Sequence, residues 1–308
     1  MMGRVWERWV ERTNRPVDVR PLALVRIVLP LILLFDLMEV WRQGLLTPLW
    51  GLPELGGLGL GPPTWLTPLG SAGMPLLVSV LGLSLLLLAA GVFGRPAGLV
   101  AVLAYAALDD LFPLADRGID RLIRTVLILL LCSRAHRCWT LGGLLGWKTE
   151  ERTTAAWSVR ALHLFLAVVY LSAGLAKLHG GDWFEFDQDP QLYRVLTDPM
   201  AGSLDPNTPL WKTLAPLFGL AGSITVLWEL SSVVLLTRHA HRFALVGLVM
   251  HLGIACTMKL GIFAWAMLAL YPVLLAPYLC PLFDRIDRVM LRRGGAPGSE
   301  PPLPQTAE

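Results

Sequence analysis

Residues 164–183 read LFLAVVYLSAGLAKLHGGDW, a run of apolar and small residues carrying one cation, Lys177, just before a Gly-Gly-Asp-Trp exit. A helix is the only way for so apolar a stretch to satisfy its own backbone in lipid. A lysine near the end of such a helix is either an anchor reaching for the membrane surface or an active-site base.

The surrounding chain has the same character. Of the 308 residues, 55% are hydrophobic and 16% charged, and the mean hydropathy is +0.58. That balance excludes an ordinary soluble domain and predicts an all-α, polytopic membrane bundle. A hydrocarbon layer about 30 Å thick takes roughly 17–25 apolar residues per helix. Windows of that kind fall at about Pro21–Trp41, Met74–Phe93, Pro96–Leu111, Ile119–Cys132, Ala156–Leu178, Leu217–Thr237, Phe243–Met258 and Gly261–Leu279. The expectation is eight spans with both termini in the cytoplasm. The chain divides into a basic amphipathic segment at 1–19, the membrane domain at 20–282, and a basic then disordered tail at 283–308.

Arg4, Arg8, Arg12 and Arg15, with Trp6 and Trp9 between them, suit a short helix lying on lipid headgroups. No short apolar core with a small-residue cleavage site precedes the first span, which is expected to be retained. Residues 42–73 form a Gly/Pro-rich loop with Trp50 and Trp65 at the interface and no regular element. Gly94-Arg95-Pro96 is the expected turn between the second and third spans, and His179–Thr213 the expected site of a short surface helix. Most of the 26 lysines and arginines fall on the side holding Arg95, Arg134, Arg137, Lys148, Arg152, Arg238 and Arg242. The positive-inside rule makes that side cytoplasmic and puts the Lys177 end of its span outside; a bacterial inner membrane fits.

His163, Ala167, Tyr170, Gly174 and Lys177 recur at helical spacing and share one face. His163 is roughly 21 Å along the helix from Lys177, too far for one site, whereas Tyr170 is about 10 Å away. Ser172, Ala173, Gly174 and Ala176 would let another helix come close. A lysine amine buried in an apolar pocket loses its proton more readily and can serve as a base. Asp36, Glu39, Asp109, Asp110 and Asp120 fall at comparable depth, either sharing a site with Lys177 or pairing locally with Arg121 and Arg124. Glu229 and His251 lie within spans, where an unpaired charge is costly. Cys132, Cys138, Cys256 and Cys280 show no metal-ligand spacing, and no metal is expected. Nothing in the sequence supports nucleic-acid binding.

Several segments resemble the membrane domain of vitamin K-dependent gamma-glutamyl carboxylase and its bacterial relatives, the HTTM (horizontally transferred transmembrane) proteins. They are Arg15-Pro16-Val17-Asp18 ahead of Arg26, Tyr170 to Leu178 leading to Asp182-Trp183, and His251 followed by Gly261-Ile262-Phe263 and Met267-Leu268-Ala269. Trp139-Thr140-Leu141 matches more weakly. The resemblance implies that Lys177 is the base that deprotonates reduced vitamin K or menaquinone, with O2 and CO2 as co-substrates. Tyr170, His251, Asp120, Asp36 and Trp183 would then bind the quinol-like molecule. Asp120 stands near a helix-start histidine of that family. Phe184-Glu185-Phe186 departs from the family pattern, which usually has a glycine three residues after the tryptophan. The chain ends soon after its last expected span, so carboxylation of peptides in the eukaryotic manner is not expected. The competing expectation is a non-catalytic membrane scaffold or maturation partner that uses the His179–Thr213 loop to contact a peptide or another membrane protein.

Overall fold

The structure, a computed structural model, describes residues 2–51, 72–111, 117–147, 150–186 and 189–294. Trp65, Lys148, Asp187 and the tail beyond residue 294 lie outside them. The chain is helical almost throughout: α1 (Met2–Asn14), α2 (Arg20–Arg42), α3 (Leu46–Trp50), α4 (Gly73–Ala90), α5 (Gly94–Leu111), α6 (Gly118–Cys132), α7 (Leu141–Leu144) and α8 (Ala156–Gly180). There follow α9 (Gln191–Thr197), α10 (Pro209–Thr213), α11 (Ala215–Leu230), α12 (Ala240–Thr257), α13 (Phe263–Leu268), α14 (Tyr271–Leu274) and α15 (Ala276–Gly294). Two three-residue strands, β1 (Pro16–Asp18) and β2 (Thr153–Ala155), pair antiparallel with Val17 opposite Thr154.

By length and composition, α2, α4, α8 and α12 can each cross a membrane. The last expected span is not straight. Residues Phe263–Leu274 and the helix after them meet at an angle of 82°, and Pro272 and Pro277, near the ends of the two pieces, can donate no helical hydrogen bond. The remaining expected spans are helical but shorter or more charged. At 15 residues α6 reaches about 22 Å, and α5 carries Arg95, Asp109 and Asp110. The sixth expected span stops as an α-helix at Leu230 and continues as a 3-10 turn over Ser232–Leu236.

Helix α2 is central, packing against α4, α6, α13, α14 and α15, while α8 packs against α6, α11 and the 3-10 turn. Leu29, Leu85, Leu108, Ile123, Leu127, Leu162 and Leu166 are buried where these helices meet.

Three local expectations change. The turn between α4 and α5 is Gly91-Val92-Phe93, because Gly91 takes a φ of 69° and its amide donates back to Leu88; Gly94 already begins α5. The loop after α2 contains a helical turn, α3, closed by the Gly51 amide on the Thr47 carbonyl. The helix α15 runs through the boundary placed at residue 283, because Asp284 and Asp287 reach Arg20 at 2.7 and 2.8 Å. The expected surface helix in the long loop is α9, with α10 after it.

That last contact ties four segments together at the end of the bundle where the chain starts. Arg152 also pairs with Asp287, the Trp139 indole donates to it at 3.2 Å, and Asp18 receives Arg20 at 2.6 Å. Burial pushes the Asp18 carboxyl up, but the hydrogen bonds and charge of Arg20 outweigh it and hold the group below its ordinary value of 3.8. A lowered folded value means stability that is complete above the ordinary value and is lost as pH falls through the lowered one. The melting temperature in detergent should therefore hold steady between about pH 7 and pH 5 and drop below about pH 4. Asp18→Asn should lower the neutral value and shrink that acid drop; an unchanged acid limb in Asp18→Asn would refute the assignment.

Candidate functional site

The face of α8 anticipated from its spacing is the one that packs. Ala167, Tyr170 and Gly174 are buried, and Gly174 is the point of closest approach: a Cβ there would lie 3.0 Å from the Glu229 Cβ and from the Leu230 amide nitrogen. Of the other small residues nearby, Ser172 and Ala176 are exposed. The approach at Gly174 sets Glu229 of α11 beside Lys177, whose ammonium donates to both carboxylate oxygens at 2.5 and 2.7 Å. The Lys177 side chain is 23% exposed and that of Glu229 7%, so the pair sits at the edge of the packed interior with its carboxylate inward.

Trp183 roofs the pair, with the Lys177 nitrogen 5.2 Å from its ring centre, a distance at which a cation is drawn to an aromatic face. The turn Asp182–Phe184 lies along the glycines of α11. A Cβ on Gly222 would lie 3.5 Å from Trp183, and one on Gly219 would strike the Glu185 carbonyl at 2.4 Å. The Ser223 hydroxyl donates to the Trp183 carbonyl at 3.1 Å. In the stretch Phe184-Glu185-Phe186, Glu185 pairs with Arg194 at 2.8 Å.

One layer deeper lie Tyr170 and His251. Tyr170 meets Trp228 edge-on at 4.7 Å and His251 at 5.9 Å. His251 is 1% exposed, with Nδ1 2.8 Å from the Gly247 carbonyl and 3.1 Å from the Tyr271 hydroxyl. The carbonyl can only accept, which assigns the ring proton to Nδ1 and leaves Nε2 as the basic nitrogen. Gly247 makes this layer possible, because a Cβ there would lie 2.4 Å from both Trp228 and the Tyr271 hydroxyl. The Tyr170 hydroxyl is buried without a hydrogen bond, although it lies near enough to Tyr271 to interact with it.

Lys177, Trp183, Tyr170 and His251 are thus brought into one chain of contacts through Glu229 and Trp228. Asp36 and Asp120 belong to a different cluster, because Arg117 takes up both carboxylates: Asp120 at 2.8 Å and Asp36 at 3.0 Å. The Tyr105 hydroxyl donates to Asp120 at 2.5 Å, and Asp109 pairs with Arg124. Of these acids, Asp109 pairs as the local alternative expected, with Arg124, whereas Asp36 and Asp120 share a cation that neither alternative named, Arg117. Glu229 and Tyr271 are the residues that sequence reasoning left out of the site. An acid inside an otherwise apolar span was the available signal for Glu229.

Apolar helices of spanning length around a buried polar layer define a helical membrane protein. The HTTM domain family matches residues 14–278, most of the chain, and the protein belongs to that family. No curated protein and no solved structure matches it.

Proposed function

We propose that this HTTM protein is a membrane enzyme, resembling the vitamin K-dependent carboxylase in its chemistry, that deprotonates and oxidises a quinol-like lipophilic substrate with Lys177 as general base. The observation that carries the reading is the Lys177–Glu229 pair beneath Trp183. An ammonium–carboxylate pair and an amine–carboxylic acid pair hold the same number of protons. The second form costs less where water is scarce, since neither partner is charged. A phenolic hydroxyl titrates near 10 and a lysine near 10.4 in water, so a proton passes between them at little cost. Transfer from a quinol hydroxyl to the neutral amine leaves a quinolate beside the Lys177 ammonium, with Glu229 protonated. The substrate anion takes the place of the carboxylate as counter-ion. In this reading His251 offers Nε2 to the headgroup, and Tyr170 its buried hydroxyl, which lies beside Tyr271.

Reduced vitamin K or menaquinone is the substrate class, dioxygen the oxidant, and carbon dioxide a co-substrate if carboxylation follows. Asp36 and Asp120 act at most indirectly, through Arg117. We further propose eight crossings of the cytoplasmic membrane of a bacterium, both termini inside, with the bent segment from Phe263 as the eighth. The charge asymmetry supports this arrangement.

The test is oxygen consumption by purified protein supplied with a reduced menaquinone analogue. Wild-type protein should consume oxygen above the uncatalysed rate and Lys177→Met should fall to that rate. Undiminished turnover by Lys177→Met would remove Lys177 as the base. A wild type that turns over no quinol, but co-purifies with a membrane protein, would favour the scaffold role instead.

A further inference from the structure

At the opposite end of the bundle, the turn from α1 into β1 forms a groove of about 650 Å³ lined by Arg8, Glu11, Arg12, Asn14, Arg15 and Pro16. Arg8 and Arg12, four residues apart, lie on one side of α1, and Arg15 follows directly after its last residue. Arg20, Arg117, Arg134, Arg137, Arg152 and Arg194 all pair with carboxylates. No ion pair or side-chain hydrogen bond to a described residue takes up Arg8, Arg12 or Arg15. Three guanidinium groups without a partner among the described residues, around one concave surface with a single carboxylate among them, make a net positive receptor. Its fork-shaped donors suit phosphate oxygens.

Position selects the kind of phosphate. The Ala156 amide donates to the Arg15 carbonyl at 2.9 Å, and Pro16 pairs with Ala155, so the end of α1 is fastened to the start of α8. A helix of 25 residues is about 37 Å long and overruns a hydrocarbon layer of about 30 Å, which puts its end at headgroup level. Trp6 and Trp9 stack at 5.1 Å and are exposed, as aromatic side chains at that level are.

We infer that the α1 groove is a binding site for the headgroup of an anionic phospholipid, its phosphate held by Arg8, Arg12 and Arg15. Glu11 and Asn14 are placed to accept from headgroup hydroxyls, which suits phosphatidylglycerol. The site does not depend on the quinol reading.

The test is native mass spectrometry of the full chain in detergent, titrated with phosphatidylglycerol, phosphatidylcholine or inorganic phosphate. Wild type should retain one phosphatidylglycerol in preference to phosphatidylcholine. Each Arg→Gln change should weaken retention about five-fold, and the triple change Arg8→Gln, Arg12→Gln, Arg15→Gln roughly a hundred-fold. Lys177→Met should retain the lipid as wild type does. Circular dichroism would check the triple variant, and Arg12→Gln alone serves if the triple does not fold. Equal retention of the two lipids, unchanged retention in the Arg variants, or displacement of the lipid by millimolar phosphate would each overturn the assignment.

Discussion

Lys177→Arg is expected to keep the fold and lose the chemistry. A guanidinium offers two parallel N–H groups to a carboxylate, so it can hold Glu229 as the ammonium does, and the melting temperature should stay close to that of wild type. It does not give up its proton in a protein, however, so the neutral form needed to accept a quinol proton is closed to it. Loss of a general base costs roughly 10²–10⁴ in rate, and quinol-dependent oxygen consumption should fall by about that factor. Glu229→Gln should behave in the opposite manner. It leaves the Lys177 ammonium without its counter-ion, and breaking a buried pair from one side costs roughly 3–5 kcal/mol. Because 23% of the Lys177 side chain is exposed, about 2–3 kcal/mol is the expected loss, read as a lower midpoint in thermal unfolding. Restoring neutrality with Lys177→Met in the same chain should recover part of it. A Lys177→Arg protein that consumes oxygen at the wild-type rate would leave the pair a purely structural contact.

The period of α8 was legible because burial on one side of a helix repeats in the sequence itself. Tyr170, Gly174 and Lys177 face the interior as their spacing requires, and Gly174 is the small residue the neighbouring helix uses. The partner of Lys177 was not legible in the same way. Apolar windows place a residue along its own span, whereas the height of one span against another depends on where the connecting segments go. Here the turn Asp182–Phe184 folds back along the first turns of α11, where Gly219 and Gly222 admit it. That raises the start of α11 beyond the end of α8 and brings Glu229 level with Lys177. Asp36 and Asp120 show the converse. Their depth was judged well enough for a shared cluster, but the cation that gathers them is Arg117, placed between spans. The Gly91 turn and the break after Leu274 depend on backbone angles that hydropathy does not carry.

Arg26→Leu should be the most damaging single change for stability. Arg26 is 1% exposed, and among the described residues no carboxylate bonds to it; four main-chain carbonyls do. One terminal nitrogen donates to Leu88 and Ala89 at 2.7 and 3.0 Å, the other to Cys138 and Trp139 at 3.2 and 2.8 Å. Leu88 and Ala89 close α4, where the last carbonyls carry the negative end of the helix dipole. The buried cation thus finds its counter-charge in backbone. Gly91 serves the same contact, since a Cβ there would come within 2.8 Å of the guanidinium. Leucine fits the apolar span better and still fails, because it strands the carbonyls of Ala89, Cys138 and Trp139, which each cost about 1–3 kcal/mol when buried unpaired, and leaves Leu88 only the Gly91 amide. Even if the chain relaxes around half of them, several kcal/mol of stability is lost, a large share of a typical domain's total. Arg26→Lys keeps the charge but offers three donors from one nitrogen in place of a planar fork, and its loss should be intermediate. Thermal unfolding in detergent, read with the monodisperse fraction recovered, should rank the proteins wild type, Arg26→Lys, Arg26→Leu. A stable Arg26→Leu protein would mean that water reaches these carbonyls, and that Arg26 belongs with the exposed arginines of α1.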